Sequence, residues 1–318
     1  MKRIAVLTSG GDSPGMNAAI RAVVRTCIFN EKECIGVLRG YEGLIEGDYI
    51  PLDRASVGGI LHRGGTILKT ARSDRFKTED GRKTALLRMR EAGIEGLVVI
   101  GGDGSFHGAK LLHEMEMPTI GVPATIDNDV AGTDETIGFD TAVNTALEAV
   151  MRLRDTASSH DRLFIVEVMG RNAGFLALEI AVATGAEYVV VPELPVSIGN
   201  LCQKLRISHK EKKSHTLIIL AEGVMTANEM KDKLQDTGGY DARVTVLGYI
   251  QRGGSPTSFD AILASKMGAY AAESLFIGKS GVMVGNVNHR MILSDLERSW
   301  SEQKSLSPEM LNLMEKLT

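Results

Sequence analysis

Short apolar runs that end in glycine-bearing turns recur along this chain, and most of those turns open directly into a helical stretch. Ile4–Leu7 passes through Gly10-Gly11 into a helix from about Met16 to Thr26. Leu97–Ile100 passes through Gly101-Gly102-Asp103-Gly104-Ser105 into a second helix, and Leu163–Val168 through Met169-Gly170-Arg171 into a third. Leu217–Leu220 ends at Glu222-Gly223. Strands that stay apolar without alternating belong in a parallel sheet covered by helices on both faces. The pattern therefore predicts an α/β fold. In open sheets of that kind, ligands bind beyond the carboxyl ends of the strands, so the turns are where chemistry is to be sought.

With 318 residues the chain suffices for two ordinary domains or one large one. Phe139, Ala142, Val143, Ala146, Leu147, Val150 and Leu153 recur at helical spacing and predict a long amphipathic helix bridging two halves. The Gly-Gly-Asp triplets at 10–12 and 101–103 share a shape, which is weak evidence of duplication. A hydrophobic fraction of 43% with 24% charged residues is that of a globular protein. The net charge of -4 gives no general reason to expect nucleic acid or an anionic membrane as partner. No apolar stretch approaches the ~18 residues of a membrane span. The N-terminal run stops at Thr8-Ser9, too early for a signal peptide, so a cytoplasmic protein is expected. Cys27, Cys34 and Cys202 are too scattered for a disulfide framework and read as reduced thiols.

Two segments carry most of the chemistry. In Gly101–Ser105 the glycines permit close approach of backbone to a phosphate chain, which a helix N-terminus favours. Asp103 suits a hard cation such as Mg²⁺; the plainer alternative makes it a helix cap. Pro123-Ala124-Thr125-Ile126-Asp127-Asn128-Asp129 follows a strand at Thr119–Val122. If it stays extended, Thr125, Asp127 and Asp129 point the same way. One carboxylate then accepts a proton from a sugar hydroxyl while the other orients the site. The alternative is an Asx-turn in which the aspartates bond local backbone. Arg72 offers a planar fork for phosphate, and Gln251-Arg252-Gly253-Gly254-Ser255-Pro256 repeats the Arg-Gly-Gly turn of Arg63–Gly65. Arg162, Arg171 and Arg243 are further candidates; each is equally readable as a solvated arginine. Gly278-Lys279-Ser280 resembles the tail of a P-loop, but Glu273 stands where its opening glycine belongs. The seven histidines show no metal-ligand spacing. His113 and His160 read as packing or solvent-facing, while His62 and His107 could line a pocket only by proximity.

Together these segments resemble the bacterial ATP-dependent 6-phosphofructokinases. The resemblance runs end to end through Leu7-Thr-Ser-Gly-Gly-Asp-Ser-Pro-Gly-Met-Asn17, Val99–Ser105, Thr125–Asp129, Glu167-Val-Met-Gly-Arg171 and Ile250–Pro256. Motifs that are weak singly become specific in one order and spacing. The resemblance implies two similar Rossmann-like, three-layer α/β domains with mainly parallel central sheets. An ATP-binding domain of residues 1–138 plus 251–301 and a fructose 6-phosphate-binding domain of 139–250 plus 302–318 are expected. The implied activity is the committed phosphorylation of glycolysis, by a homotetramer. Gly11, Tyr41, Arg72, Ser73 and Gly102, Asp103, Gly104 and Ser105 are implied to approach ATP, with Asp103 on Mg²⁺. Asp127 is implied as general base, supported by Thr125 and Asp129, with Arg72 and Arg171 on the moving phosphoryl group. The sugar phosphate is assigned to Thr125, Ile126, Asp127, Met169, Gly170, Arg171, Glu222, Tyr249 and Arg252. Arg162 and Arg243 are implied to reach it from a neighbouring subunit.

The chain departs from the family pattern in places. Tyr249 replaces a usual histidine beside the sugar; it still donates a hydrogen bond but reaches further. Ala124 replaces a glycine common among ATP users. Pyrophosphate-using relatives carry Asp at the equivalent of Gly104 and Lys at that of Ala124, so ATP is the expected donor. Arg21, Arg25, Arg54, Arg154 and Lys213, with Gly185, Glu187 and His215, match a basic pocket for ADP or phosphoenolpyruvate. Glu211 stands there where lysine is common, and Gly58-Gly59 where polar residues are usual, so weakened regulation is expected. Three other readings compete: a pyrophosphate-dependent phosphofructokinase, a lipid or NAD kinase, and a nucleotide or sugar-phosphate sensor on a retired kinase fold. The kinase alternative leaves Thr125 and Arg171 without a role, and the sensor leaves unexplained why Asp103, Asp127 and Arg72 all remain.

Overall fold

The computed structural model describes residues 1–158, 163–210 and 216–317. Its strands are β1 (Arg3–Thr8), β2 (Glu33–Val37), β3 (Tyr49–Leu52), β4 (Leu97–Gly101), β5 (Thr119–Pro123), β6 (Leu163–Val168), β7 (Tyr188–Val190), β8 (Thr216–Ala221), β9 (Ala242–Val246), β10 (Val282–Val287) and β11 (Arg290–Asp295). Its helices are α1 (Met16–Phe29), α2 (Gly40–Glu46), α3 (Asp74–Lys77), α4 (Glu79–Glu91), α5 (Asp103–Glu114), α6 (Phe139–Ser158), α7 (Phe175–Thr184), α8 (Ile198–Lys210), α9 (Ala227–Gly238), α10 (Ser258–Phe276), α11 (Arg298–Ser301) and α12 (Pro308–Leu317). A 3₁₀ turn spans Gly248–Arg252. The chain divides into two compact units. Unit 1 is Met1–Ile126, Val130–Thr141 and Arg252–Lys304; unit 2 is Asp127–Asp129, Ala142–Gln251 and Ser305–Thr318.

Unit 1 holds a seven-stranded sheet in the order β11-β10-β5-β4-β1-β2-β3. Its centre is parallel, and only β3 and β11 run antiparallel to their neighbours. Along β1 and β4 successive apolar residues feed different cores. Ile4, Val6, Val98 and Ile100 pack with Val23 of α1 and Met267 of α10. Ala5, Leu7, Leu97 and Val99 pack with Leu44 of α2, Met89 of α4 and Phe106 of α5. Both faces of the sheet are thus buried, which is why the runs do not alternate. Successive strands β2 and β3 add to one side of β1, and β4 and β5 to the other, so the chain reverses between β1 and β4.

Unit 2 is a four-stranded, wholly parallel sheet in the order β7-β8-β6-β9. Ile165, Ile218 and Leu220 meet Leu201, Leu205, Met230 and Leu234 of α8 and α9 in one core. α7 packs on β8, with α12 against it. Here β7 and β8 lie to one side of β6 and β9 to the other, so the reversal falls between β6 and β9. α9 starts at a capping box: Thr226 Oγ accepts the Glu229 N–H, and the Glu229 carboxylate accepts the Thr226 N–H at 2.8 Å.

Two sequence expectations need adjustment. α1 continues past Thr26 to Phe29, because no breaker precedes Asn30. The segment after β5 is not extended: Asn128 sits in the left-handed region at φ 53°, so strand alternation cannot align Thr125, Asp127 and Asp129. Asparagine is the residue type that tolerates this conformation best after glycine. The three cysteines are buried free thiols. Among the described residues no helix is long and apolar enough to cross a membrane.

Candidate active site

In unit 1 the predicted phosphate turns meet at the β1/β4 reversal, the place where an open sheet leaves a crevice. Gly101 is wedged between the Ser9 carbonyl and the Ser105 hydroxyl, each 2.5 Å from where a Cβ would stand, so the loops after β1 and β4 touch through backbone. Asp103 is the first residue of α5 and Gly102 occupies the capping position without a side-chain bond, so Asp103 is not the helix cap. The amides of that first turn point out of the helix, as they do where anions bind. Gly104 is exposed and faces open space. The Tyr41 ring stacks on Phe76 at 4.2 Å and its phenol donates to the Ser105 carbonyl. Burial pushes the Tyr41 pKa far up, keeping it a donor.

The Arg-Gly-Gly turns also converge in unit 1. The Arg252 guanidinium lies against Gly11, with Nη1 2.8 Å from the place of a Cβ, and Gly64 lies against the Gly254 carbonyl. Arg252, expected at the sugar, is therefore beside Gly11, expected at the nucleotide. Asn17, buried on α1, fixes the neighbouring turn: its Nδ2 donates to the Arg63 carbonyl at 2.9 Å, and its Oδ1 accepts the Ile67 N–H at 2.8 Å. Ser73 caps α3 by accepting the Phe76 N–H and donates to Glu42, while Arg72 beside it is exposed. Thr125 receives the Thr136 hydroxyl on its carbonyl at 2.6 Å. Ile126 is buried, as is Asp127 at 4% exposure, and Asp129 is half-buried.

In unit 2, Met169, Gly170 and Arg171 follow β6 and Glu222 follows β8. The Glu222 carboxylate accepts the Arg171 N–H at 2.9 Å, and Arg171 is left-handed at φ 53°. Tyr249, 78% exposed, lies in the 3₁₀ turn after β9. Arg243 on β9 pairs with Asp241 at 3.2 Å. Arg162 lies outside the described residues, as do His160, Glu211, Lys213 and His215.

The remaining effector candidates form one group in each unit. In unit 1, Arg21 and Arg25 are one helical turn apart on α1, and Arg25 donates to the Arg54 carbonyl at 3.4 Å. A cavity of about 520 Å³ lined by Ile28, Lys32, Cys34, Leu52 and Arg54 adjoins them. In unit 2 the Arg154 guanidinium donates to the Thr184 and Gly185 carbonyls at the end of α7 and lies 3.6 Å from Glu187.

Gly278-Lys279-Ser280 follows the end of α10 and leads to a strand, so no helix N-terminus is there to bind phosphate. His107 stacks on Trp300 at 3.7 Å between ring centroids, and His113 lies against Gly281. Sequence reasoning passed over Asp260. This fully buried carboxylate accepts the Gly138 N–H at 2.9 Å and both the N–H and hydroxyl of Thr141, at 2.8 and 2.5 Å. It caps the start of α6 from the first turn of α10, whose own cap is Thr257. The Thr257-Ser-Phe-Asp260 spacing is the helix-start signal that would have found it.

The family model described as Phosphofructokinase matches residues 3–275. An ATP-dependent 6-phosphofructokinase of Halalkalibacterium halodurans is 52% identical over 318 residues, all of both chains. One of Halothermothrix orenii is 50% identical over 98% of each chain, and one of Bacillus pumilus is 50% identical over all of both. Among solved structures, phosphofructokinase from Saccharomyces cerevisiae superposes with a TM-score of 0.89 at 35% identity; the match covers this whole chain and half of the yeast chain. A pyrophosphate-dependent phosphofructokinase from Marinobacter aquaeolei shares the fold, with a TM-score of 0.84 at 21% identity, over all of this chain and 91% of that one.

Proposed function

The chain belongs to the phosphofructokinase family, and from that premise we propose that it transfers the γ-phosphoryl group of ATP to the 1-hydroxyl of fructose 6-phosphate. The products are ADP and fructose 1,6-bisphosphate, in the cytoplasm, by a homotetramer. The observation that carries the reading is the identity of half or more, along the whole length, to proteins named for this reaction. Residues 1–138 with 251–301 take the nucleotide, and 139–250 with 302–318 take the sugar phosphate.

Asp127 accepts the proton of the 1-hydroxyl as its oxygen attacks the γ-phosphorus in line and the bond to the β-phosphate oxygen breaks, leaving on ADP. Thr125 and Asp129 orient that carboxylate, and Arg72 and Arg171 balance the charge spreading over the moving group. The first turn of α5 and Gly11 hold the phosphates, beside Tyr41 and Ser73. Glu222, Met169, Gly170, Tyr249 and Arg252 hold the sugar, with Arg162 and Arg243 given by a neighbouring subunit. Among the described residues no three His, Cys, Asp or Glu side chains converge on a point. A single hard carboxylate at Asp103, beside the open space before Gly104, suits Mg²⁺, which keeps waters and substrate phosphates as its other ligands. When bound, the ion neutralises charge on the phosphate oxygens.

The test is ADP release in a coupled assay with fructose 6-phosphate, with and without Mg²⁺. Release that needs both supports the kinase; tight binding of either ligand without turnover supports the sensor. Pyrophosphate should not replace ATP. A side chain at 104 meets open space in the free protein, so Gly104→Asp should fold normally yet fill room needed by the nucleotide. We expect its kcat/KM for ATP to fall by about a hundredfold or more, roughly 2.7 kcal/mol, with unchanged melting. Unaltered ATP use would refute the steric argument.

Gly11→Ala offers a second check. Its methyl meets the flexible end of Arg252 and not backbone, so the fold should hold, with melting changed by no more than about 2 °C. The guanidinium should be pushed aside, raising the KM for fructose 6-phosphate by about tenfold. Unchanged KM values would mean that Arg252 does not touch the sugar.

A further inference from the structure

The turn between β6 and α7 is held from outside by three side chains. The Met169 N–H donates to Gln251 Oε1 at 2.9 Å, the Arg171 N–H to Glu222 Oε1 at 2.9 Å, and the Gly174 N–H to Glu193 Oε1 at 2.8 Å. The Ala173 N–H bonds within the turn, to the Gly170 carbonyl at 3.0 Å. The backbone so held is unusual, with Gly170 at φ 138° and Arg171 at φ 53°. A left-handed arginine persists only where its surroundings over-determine it.

Gln251 differs from the two glutamates. It is 0% exposed, and it comes from the 3₁₀ turn after β9 that also carries Tyr249 and Arg252. Its bond to Met169 therefore spans the β6/β9 reversal of unit 2, tying together the two loops that flank that crevice. The orientation of the amide is fixed, because a backbone N–H must meet the oxygen and not the nitrogen. Nε2 is then buried with no hydrogen-bond partner among the described residues. A buried donor without a partner is unfavourable, and methionine would fill the same space without one. What the amide supplies in return is the acceptor for Met169.

We propose that Gln251 is a positioning residue for the sugar-phosphate site, setting the Met169–Arg171 turn against the Gly248–Gln251 segment through its bond to the Met169 amide. The proposal rests on the function proposed above. It assigns Gln251 no contact with substrate; it acts through the backbone of residues that make such contacts.

The test compares Gln251→Met and Gln251→Glu with the wild-type enzyme, varying fructose 6-phosphate and MgATP separately. Gln251→Met keeps the volume and removes the acceptor. It should raise the KM for fructose 6-phosphate at least about tenfold and leave that for ATP within about twofold. In Gln251→Glu the side chain keeps an oxygen that accepts the Met169 N–H in either protonation state. Its sugar KM should stay closer to wild type than that of the methionine variant at every pH. A sugar KM that stays put in Gln251→Met, or that rises equally with the ATP KM as melting falls, overturns the proposal. So does a glutamate variant whose sugar KM rises as far as that of the methionine variant. Should Gln251→Met fail to fold, Gln251→Leu, which also lacks the acceptor, takes its place with the same two outcomes. A wild-type enzyme without turnover on fructose 6-phosphate instead sinks the function itself, so the two failures are distinct.

Discussion

Asp127→Asn should lower kcat by about a thousandfold, the middle of the range for removing a general base, while both KM values stay within about threefold. The side chain is 4% exposed, so an isosteric amide keeps the packing, and melting should hardly change. On the proposed mechanism what is lost is the capacity to take a proton, which the transition state needs and ground-state binding does not. Steady-state assays over both substrates check this. Turnover near wild type would remove Asp127 from the mechanism, and a collapse of melting would assign it to structure.

The largest effect on stability is expected at Asp260. Alanine there strands three buried donors, the N–H of Gly138 and the N–H and hydroxyl of Thr141, and leaves the first turn of α6 uncapped. A loss of about 3 kcal/mol follows from unsatisfied buried groups of this kind, or roughly 10 °C in melting. Burial outweighs the three hydrogen bonds and holds the Asp260 pKa above the ordinary carboxylate range. The native state thus keeps a proton that the unfolded chain has already released. The contribution of Asp260 is greatest below the ordinary carboxylate pKa and falls as pH climbs to the raised native value. The stability gap between wild type and Asp260→Asn should therefore narrow with rising pH across that window and then level off. Denaturant melts at several pH values read it directly, and a widening gap would mean that the native carboxylate is favoured as the charged form.

The layered α/β plan was legible because hydrophobic runs and glycine turns are local signals, and β1, β4, β6 and β8 appear where the runs stand. The glycine turns after β1 and β4 were legible for the same reason. What escaped depends on residues far apart in sequence. Asp260 caps a helix that begins more than a hundred positions earlier, and Gln251 meets Met169 across a sheet reversal that no local pattern encodes. The Thr125–Asp129 segment was misread geometrically because one residue, Asn128, turns left-handed where alternation was assumed. The contact of Arg252 with Gly11 likewise follows from topology, since β10 and α10 return the chain to the first sheet.

That return has a consequence for biosynthesis. Unit 1 draws its last strands, β10 and β11, and the helix α10 that covers α1 from beyond residue 252. On a ribosome the four strands of unit 2 emerge as one stretch, Leu163–Val246, and can close while the earlier sheet still lacks an edge and half its lid. The sheet begun first is completed last. Until then Val23, Val24 and Cys27 of α1 have no α10 to cover them, and apolar surface left open in this way favours aggregation during synthesis.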